Sequence, residues 1–448
     1  MVRYPPQGTA LPELRSLFSS KVKTLDAAPY DCMKIKPLID SGFLALGDLA
    51  NFINNVGVAS EWANYFRAWY YIYGADFVAQ LLNNTNLSAS RIADIVSSTA
   101  LLISELKAIL ANANMSADRV QAILYALVDK GYYDRLINLM TFDASDVTIS
   151  SNTTWSSGVN RYKNITINSG VTLTLNTLPN VVLADTITNS GTITTVTQSN
   201  GGAGVYGSGA GGGGAQGLIV LARTVTVGTV NANGASGANG ASPSGASSGN
   251  PGGAGSLWVI SGYPGGNGGA GGGSSGVNCA AGGGGGGQTG GAGGSSLTVP
   301  GGNGGSASVT TFSDGVSLLK EVLKAVADWY IKNILSKTPT TTKSIPSLYG
   351  SGGGSGGVNS GMGGSGGGGG GSGGEVIIFG VTVNAGAVSS SGGGGGSGYG
   401  GYSYAGGGGG GGLVYVFYKT LNGTFTFSVA GGSGAYSGTS GSAVTFAV

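Results

Sequence analysis

Hydrophobic residues recur at helical spacing through the first 142 residues. Leu11, Leu14, Leu17 and Phe18 mark one stripe over 10–22, and Leu44, Leu46, Leu49, Phe52 and Ile53 mark a second over 38–55. Residues 59–82 carry a run of rings: Trp62, Tyr65, Phe66, Trp69, Tyr70, Tyr71, Tyr73 and Phe77. Aromatic runs at helical spacing usually form core, and the other reading is a docking interface. Ser88 is placed to cap a long helix reaching about Ala111. Ser116 caps the next, which carries Val120, Ile123, Leu124, Leu127 and Val128 before Gly131 interrupts it. Residues 1–142 are thus predicted to form an α-helical bundle, read as an anchoring domain.

The period then changes from 3.6 to 2. Val147-Thr-Ile-Ser, Tyr162-Lys-Asn-Ile-Thr-Ile, Val171-Thr-Leu-Thr-Leu and Thr192-Ile-Thr-Thr-Val alternate apolar and polar positions. Asn168-Ser169-Gly170 and Asn189-Ser190-Gly191 supply the turns. Short strands at this spacing predict a β-solenoid or a sandwich over 143–200, and the solenoid is read as a stalk. The run from Asn168 to Leu175 resembles one coil of a right-handed β-helix of the kind found in viral spikes and autotransported surface proteins.

Residues 201–448 hold 83 of the 92 glycines. The glycine comes in triplets, as in Gly265-Gly-Asn-Gly-Gly-Ala and Gly301-Gly-Asn-Gly-Gly-Ser. A three-residue period matches the polyproline II helix, which has no internal hydrogen bonds and must bond to neighbouring backbones when packed. A flexible Gly/Ser tether is the competing reading. Against it stand recurring strand units at Gly217–Val230, Gly374–Val388 and Gly412–Thr426, each a long apolar run, a short break and a second alternating run. The predicted architecture is therefore multidomain α plus β. It comprises a helical bundle at 1–142, a short β-solenoid or β-helix at 143–200, and a glycine-rich domain of strands and polyglycine II helices at 201–448. A helical insertion at 312–347 interrupts the last, because Leu319, Val322, Leu323, Val326 and Ile331 form an amphipathic stripe. The stripe is read as a brace against the sheet or the bundle, with an oligomer contact or membrane-active segment as alternatives.

Charge and composition narrow the function. Net charge is +2 with 9% charged residues, which argues against a basic nucleic-acid-binding face. The chain has no histidine, so His-based triads and most zinc sites are excluded. Gly-x-Gly-x-x-Gly matches arise from composition alone, and no Gly-Lys-Ser/Thr phosphate loop occurs. No catalytic residue, cofactor or metal site is predicted. Cys32 and Cys279 lie in different regions and are read as two buried or idle thiols, with a single bridge tying the regions together as the alternative. The opening residues lack the apolar core of a secretory signal. Asn-x-Ser/Thr acceptors occur at Asn83, Asn86, Asn114, Asn152, Asn164 and Asn422.

The runs at 265–273, 282–287, 290–294, 301–305, 363–374, 392–396 and 406–412 resemble the glycine-rich adhesins at the tips of phage long tail fibres. In that family, polyglycine II helices pack as a sandwich and the loops between glycine motifs recognise the host receptor. The resemblance implies a non-catalytic virion protein, a tail fibre or spike that attaches the particle to the host surface. This chain departs from the family in its long strands, its helical insertion and its helical N-terminal domain. A prokaryotic cell-surface adhesin or filament subunit is the first alternative, and a virion scaffold without receptor binding the second. The loop Tyr399-Gly-Gly-Tyr402-Ser-Tyr404, with Tyr206, Tyr263 and Tyr436, offers the Tyr/Ser/Gly composition of adaptable binding loops. These six tyrosines are the candidate receptor-binding residues; shielding the ends of glycine helices is their competing role. The implied partners are a host-surface receptor, with a glycan among the options, and other virion proteins met through the helical domain. A homo-oligomer is expected, and a trimer would suit a β-helical spike. The implied location is the virion surface, with the extracellular or cell surface as the alternative.

Overall fold

A computed structural model of the chain describes residues 35–42, 44–245, 247–263, 265–272, 279–287, 291–293, 300–359, 363–401 and 403–448. The anticipated helix at 10–22 and Cys32 lie outside the described residues. The chain divides into two units. One runs up to Phe142 and includes Lys320–Ile345; the other comprises Asp143–Leu319 and Pro346–Val448.

In the helical unit, α1 (Leu46–Asn55) leads into α2 (Ala59–Asn83). Gly74 adopts φ +80° inside α2 and kinks it, a conformation that costs glycine little. The rings of α2 are largely interior: Trp62, Tyr65, Phe66, Trp69 and Phe77 are buried, while Tyr71 is exposed. The long helix anticipated after Ser88 is two helices, α3 (Ala89–Ser97) and α4 (Ile103–Ala111). The intervening backbone is held by side chains. Leu102 N–H donates to Glu105 Oε2 at 2.8 Å, and Arg135 donates to the carbonyls of Val96 and Leu101. Then come α5 (Ala117–Asp129) and α6 (Tyr133–Thr141).

A repeated device builds this unit. Asn84-Thr-Asn-Leu-Ser-Ala-Ser-Arg91-Ile recurs as Asn112-Ala-Asn-Met-Ser-Ala-Asp-Arg119-Val. Ser88 and Ser116 each cap a helix by accepting from the arginine N–H. Each guanidinium then reaches back to carbonyls at the end of an earlier helix. Arg91 donates to Ile53 O at 3.0 Å, and Arg119 donates to Leu82 O at 2.6 Å. Orphan C-terminal carbonyls thereby gain charged donors.

The insertion completes the same unit. Helix α7 spans Gly315–Asn333. Within it Asp328 is buried and accepts from Gln121 Nε2 at 2.8 Å, Tyr125 Oη at 2.7 Å and the Lys343 N–H at 2.6 Å. Lys337 donates to the carbonyls of Asn112 and Met115, and Asp118 accepts from Thr340. The stripe of 320–333 thus braces the bundle.

The second unit corrects the predicted fold class. A short β-helix stalk at 143–200 followed by a separate glycine-rich domain is not found; the fold is α/β with two large parallel sheets. The seven-stranded sheet has the order β1 (Val147–Ile149), β3 (Val159–Ile167), β5 (Val181–Asn189), β7 (Leu218–Thr226), β13 (Glu375–Asn384), β15 (Leu413–Asn422) and β17 (Ser442–Ala447). The six-stranded sheet contains β2 (Thr153–Trp155), β4 (Thr172–Leu175), β6 (Thr192–Thr195), β8 (Thr229–Asn231), β14 (Ala387–Ser389) and β16 (Thr426–Ser428). Strands from 143–200 and from the glycine-rich part join the same two sheets: β5 pairs with β7, and β6 with β8. The physical reason is that 159–175 and 181–195 repeat the same long strand, turn and short strand as 218–231, 375–389 and 413–428. Once the long strands pair in register, the glycine tracts between them become excursions from one body. Ile167, Leu173, Leu175, Ile187, Val220, Val230, Ile378 and Val416 pack between the sheets. A parallel pair, β9 (Gly255–Ile260) with β10 (Ala307–Phe312), and an antiparallel pair, β11 (Val358–Asn359) with β12 (Gly364–Ser365), complete the strands.

Candidate recognition surface

The glycine tracts pack on one another as extended segments, and their hydrogen bonds repeat every third residue. In segment 364–374, Gly366, Gly369 and Ser372 donate to Gly357, Gly354 and Ser351. Gly367, Gly370 and Gly373 donate to Tyr404, Gly407 and Gly410, while Gly368, Gly371 and Gly374 donate to Ala238, Ala235 and Ala232. All nine bonds measure 2.8–3.0 Å. Carbonyls of the same segment accept from Gly209, Gly212 and Ala215, from Gly282 and Gly285, and from Gly393 and Gly396. One segment therefore bonds to six neighbours through backbone alone. Side chains cannot enter: a Cβ at Gly368 would lie 1.9 Å from Ala210 O, and at Gly369 2.0 Å from Gly283 O. Alanine appears where the outer segment is more open, at Ala235 and Ala238.

At the edge of this lattice, side chains replace carbonyls as acceptors. Asn233 Oδ1, Ser236 Oγ and Asn239 Oδ1 accept from the N–H groups of Ser391, Gly394 and Ser397 at 2.8, 3.2 and 2.7 Å. The spacing Asn233-x-x-Ser236-x-x-Asn239 is the signal of this ladder in the sequence.

The segments turn at the end remote from the sheets, and the turns are laced together. Ala241 N–H donates to Gly207 O and Ser244 N–H to Tyr206 O. Ser365 exchanges backbone hydrogen bonds with Tyr399, and its hydroxyl donates to Ala241 O at 2.7 Å. Cys279 Sγ donates to Gly364 O at 2.8 Å, and burial pushes this thiol's pKa up. Tyr206 takes φ +46° ahead of Gly207 at φ +99°, which tightens its turn.

The candidate tyrosines divide by position. Tyr206, Tyr399 and Tyr436 are exposed, at 56%, 46% and 55%. Tyr206 and Tyr399 sit on the laced turns, whereas Tyr436 stands on a shorter turn, its carbonyl accepting from Gly408 N–H midway along segment 404–412. Tyr404 is half-buried against Gly272, and the Tyr206 ring lies over Gly245, so both also shield glycine backbone. Tyr263 lies at the opposite end, just after β9, where its carbonyl accepts from Tyr415 Oη at 3.2 Å. The structure does not bring Tyr263 to the turns. Tyr402 lies outside the described residues.

Among the described residues, no group of three or more His, Cys, Asp or Glu could hold a metal ion. No helix among them is long and apolar enough to cross a membrane. The turn residues 205–208, 241–244 and 398–401 include no charged side chain. Comparison with protein families, curated proteins and solved structures finds no match.

Proposed function

We propose that this chain is a non-catalytic attachment protein of a virion, a tail fibre or spike, whose turn end recognises the host surface. The observation that carries the reading is the exposure of Tyr206, Tyr399 and Tyr436 on turns tied to a backbone lattice. A ring held on a rigid turn loses little conformational freedom on binding, so more of its contact energy becomes affinity. Many copies on one particle would multiply a weak single contact. The helical unit would dock the chain to other virion proteins, and the chain would act as a homo-oligomer.

The test uses the full chain, fluorescently labelled, on whole prokaryotic cells and on an array of immobilised glycans. The triple variant Tyr206→Ser, Tyr399→Ser, Tyr436→Ser is expected to lose at least tenfold in binding while keeping its melting temperature. Equal binding by the variant, or no binding by the parent to either target, would overturn recognition at the turns.

A further inference from the structure

A second surface lies on the outer face of the seven-stranded sheet, away from the tyrosine turns. Five strands share a pattern there: Lys163-Asn-Ile-Thr166, Asp185-Thr-Ile-Thr188, Arg223-Thr-Val-Thr226, Val381-Thr-Val-Asn384 and Lys419-Thr-Leu-Asn422. The pairing register stacks them into straight ranks. Asn164, Thr186, Thr224, Thr382 and Thr420 form one, and Thr166, Thr188, Thr226, Asn384 and Asn422 the next. The same register puts Lys163, Asp185, Arg223, Val381 and Lys419 at one level beside them.

All three levels face outward because the strand alternation resets at this point. Ala184 and Ile187 face the core with Asp185 and Thr186 between them; Ala222 and Val225 do the same around Arg223 and Thr224. Neighbouring groups in a rank are one strand apart, about 4.8 Å, and the two ranks are two residues apart, about 6.7 Å. In the second rank Asn384 donates to Thr226 Oγ1 and Asn422 donates to Asn384 Oδ1, which fixes the amides. In the first rank, the hydroxyls of Thr186, Thr224, Thr382 and Thr420 make no hydrogen bond to described residues.

The charge here is unusual for this unit. Its cations are Arg161, Lys163, Arg223 and Lys419, and three of the four stand at the single level beside the ranks. Asp185 stands among them, reached by Arg223 Nη2 at 2.8 Å and Lys163 Nζ at 3.5 Å, and Asp146 accepts from Asn164 Nδ2 at 2.8 Å at the end of the first rank. The level therefore keeps a net positive charge spread across the strands.

We propose that this face binds an extended acidic polysaccharide lying across the strands. An extended glycan advances per sugar by nearly one strand spacing, so successive sugars meet successive Thr or Asn groups. Its hydroxyls bond to the ranks, and its carboxylates or sulfates lie along the Lys163–Arg223–Lys419 level. A neutral glycan leaves that positive level unused, and a polyanion without hydroxyls leaves the ranks unused. The site is separate from the tyrosine turns and stands without them.

The test titrates the full chain by calorimetry with alginate, dextran sulfate, neutral dextran and polyglutamate. Alginate or dextran sulfate is expected to bind, with affinity falling as salt rises. Dextran and polyglutamate are expected to bind at least tenfold more weakly. Lys419→Gln alters an exposed side chain, and Thr224→Val with Thr382→Val removes two hydroxyls while keeping β-branched strand residues. Together they are expected to weaken binding about tenfold without lowering the melting temperature, whereas the tyrosine triple variant should bind as the parent does. No binding of either acidic glycan, unchanged binding by the variants, or polyglutamate binding as tightly as alginate would each overturn the proposal.

Discussion

Replacing Gly369 with alanine tests whether the backbone lattice holds the second unit together. Gly369 donates to Gly354 O and accepts from Gly212 N–H, both at 2.8 Å. An added Cβ would lie 2.0 Å from Gly283 O, which itself accepts from Gly354 N–H at 2.8 Å. The obstacle is backbone, so no side-chain rotation relieves it. One segment must retreat by more than an ångström, which breaks at least one bond of this chain of three. Overpacking in a tight interior costs about 1–3 kcal/mol. A buried backbone group left unpaired costs about another 1–3 kcal/mol. Alanine restricts the unfolded chain and returns about 0.4–1 kcal/mol. The net expectation is a loss of about 1–6 kcal/mol, or roughly 2–10 °C in the melting temperature of a unit this large. Gly401→Ala is the control, because nothing lies within 4 Å of its built Cβ. Both variants are compared by scanning calorimetry of the full chain. If Gly369→Ala melts within 2 °C of Gly401→Ala, the lattice is not what stabilises this unit and the tracts are tethers.

Two further predictions concern buried acids. Glu375 is fully buried; burial raises its pKa well above the usual carboxylate range, while a 2.6 Å bond from Trp258 N–H opposes the rise. Its folded form therefore keeps a proton that the unfolded chain releases above about pH 4.3, so its contribution to stability is lost as pH rises through the folded pKa. Glu375→Gln should flatten this decline above about pH 4.3 in urea titrations; a decline as steep as the parent's would refute the assignment. In the helical unit, Asp328→Ala leaves Gln121, Tyr125 and the Lys343 N–H without their shared acceptor. The expected cost is about 2–4 kcal/mol, read as a lower urea midpoint of the helical circular dichroism signal; an unchanged midpoint would mean that 320–345 does not brace the bundle.

Legibility in the sequence followed the presence of side chains. The stripe Val120, Ile123, Leu124, Leu127 and Val128 could be read because one helical face is buried, and all five are. The break between α3 and α4 could not, because Arg135 holds it from far along the chain. The strand units at 217–230, 374–388 and 412–426 were visible as repeats, yet their kinship with 159–175 and 181–195 was hidden by the glycine between them. That gap produced the mistaken stalk. The lacing of the turns was beyond reach, since backbone partners such as Ser365 and Tyr399 leave no trace in side-chain pattern. The ranks on the outer face were readable as a recurring Thr/Asn-x-Thr/Asn pair, after a charged residue in four of the five strands, and only the register gives that motif meaning.

The register also explains how sheets and lattice coexist. A glycine segment has no side chains to distinguish one alignment from the next, so by itself it could slip. A strand cannot, because a one-residue slip moves its apolar residues to the wrong face. In this chain the two are joined without a spacer: segment 364–374 runs straight into β13, and segment 404–412 into β15. The ladder continues across the junction, with Leu413 N–H donating to Gly374 O and Ser442 N–H to Gly412 O. The sheets thereby fix the alignment of the glycine segments, and the aligned segments hold the turns at their far end. Alternating Val, Ile and Leu supplies the specificity, glycine supplies the close contact, and neither composition alone would hold Tyr206 and Tyr399 in fixed positions.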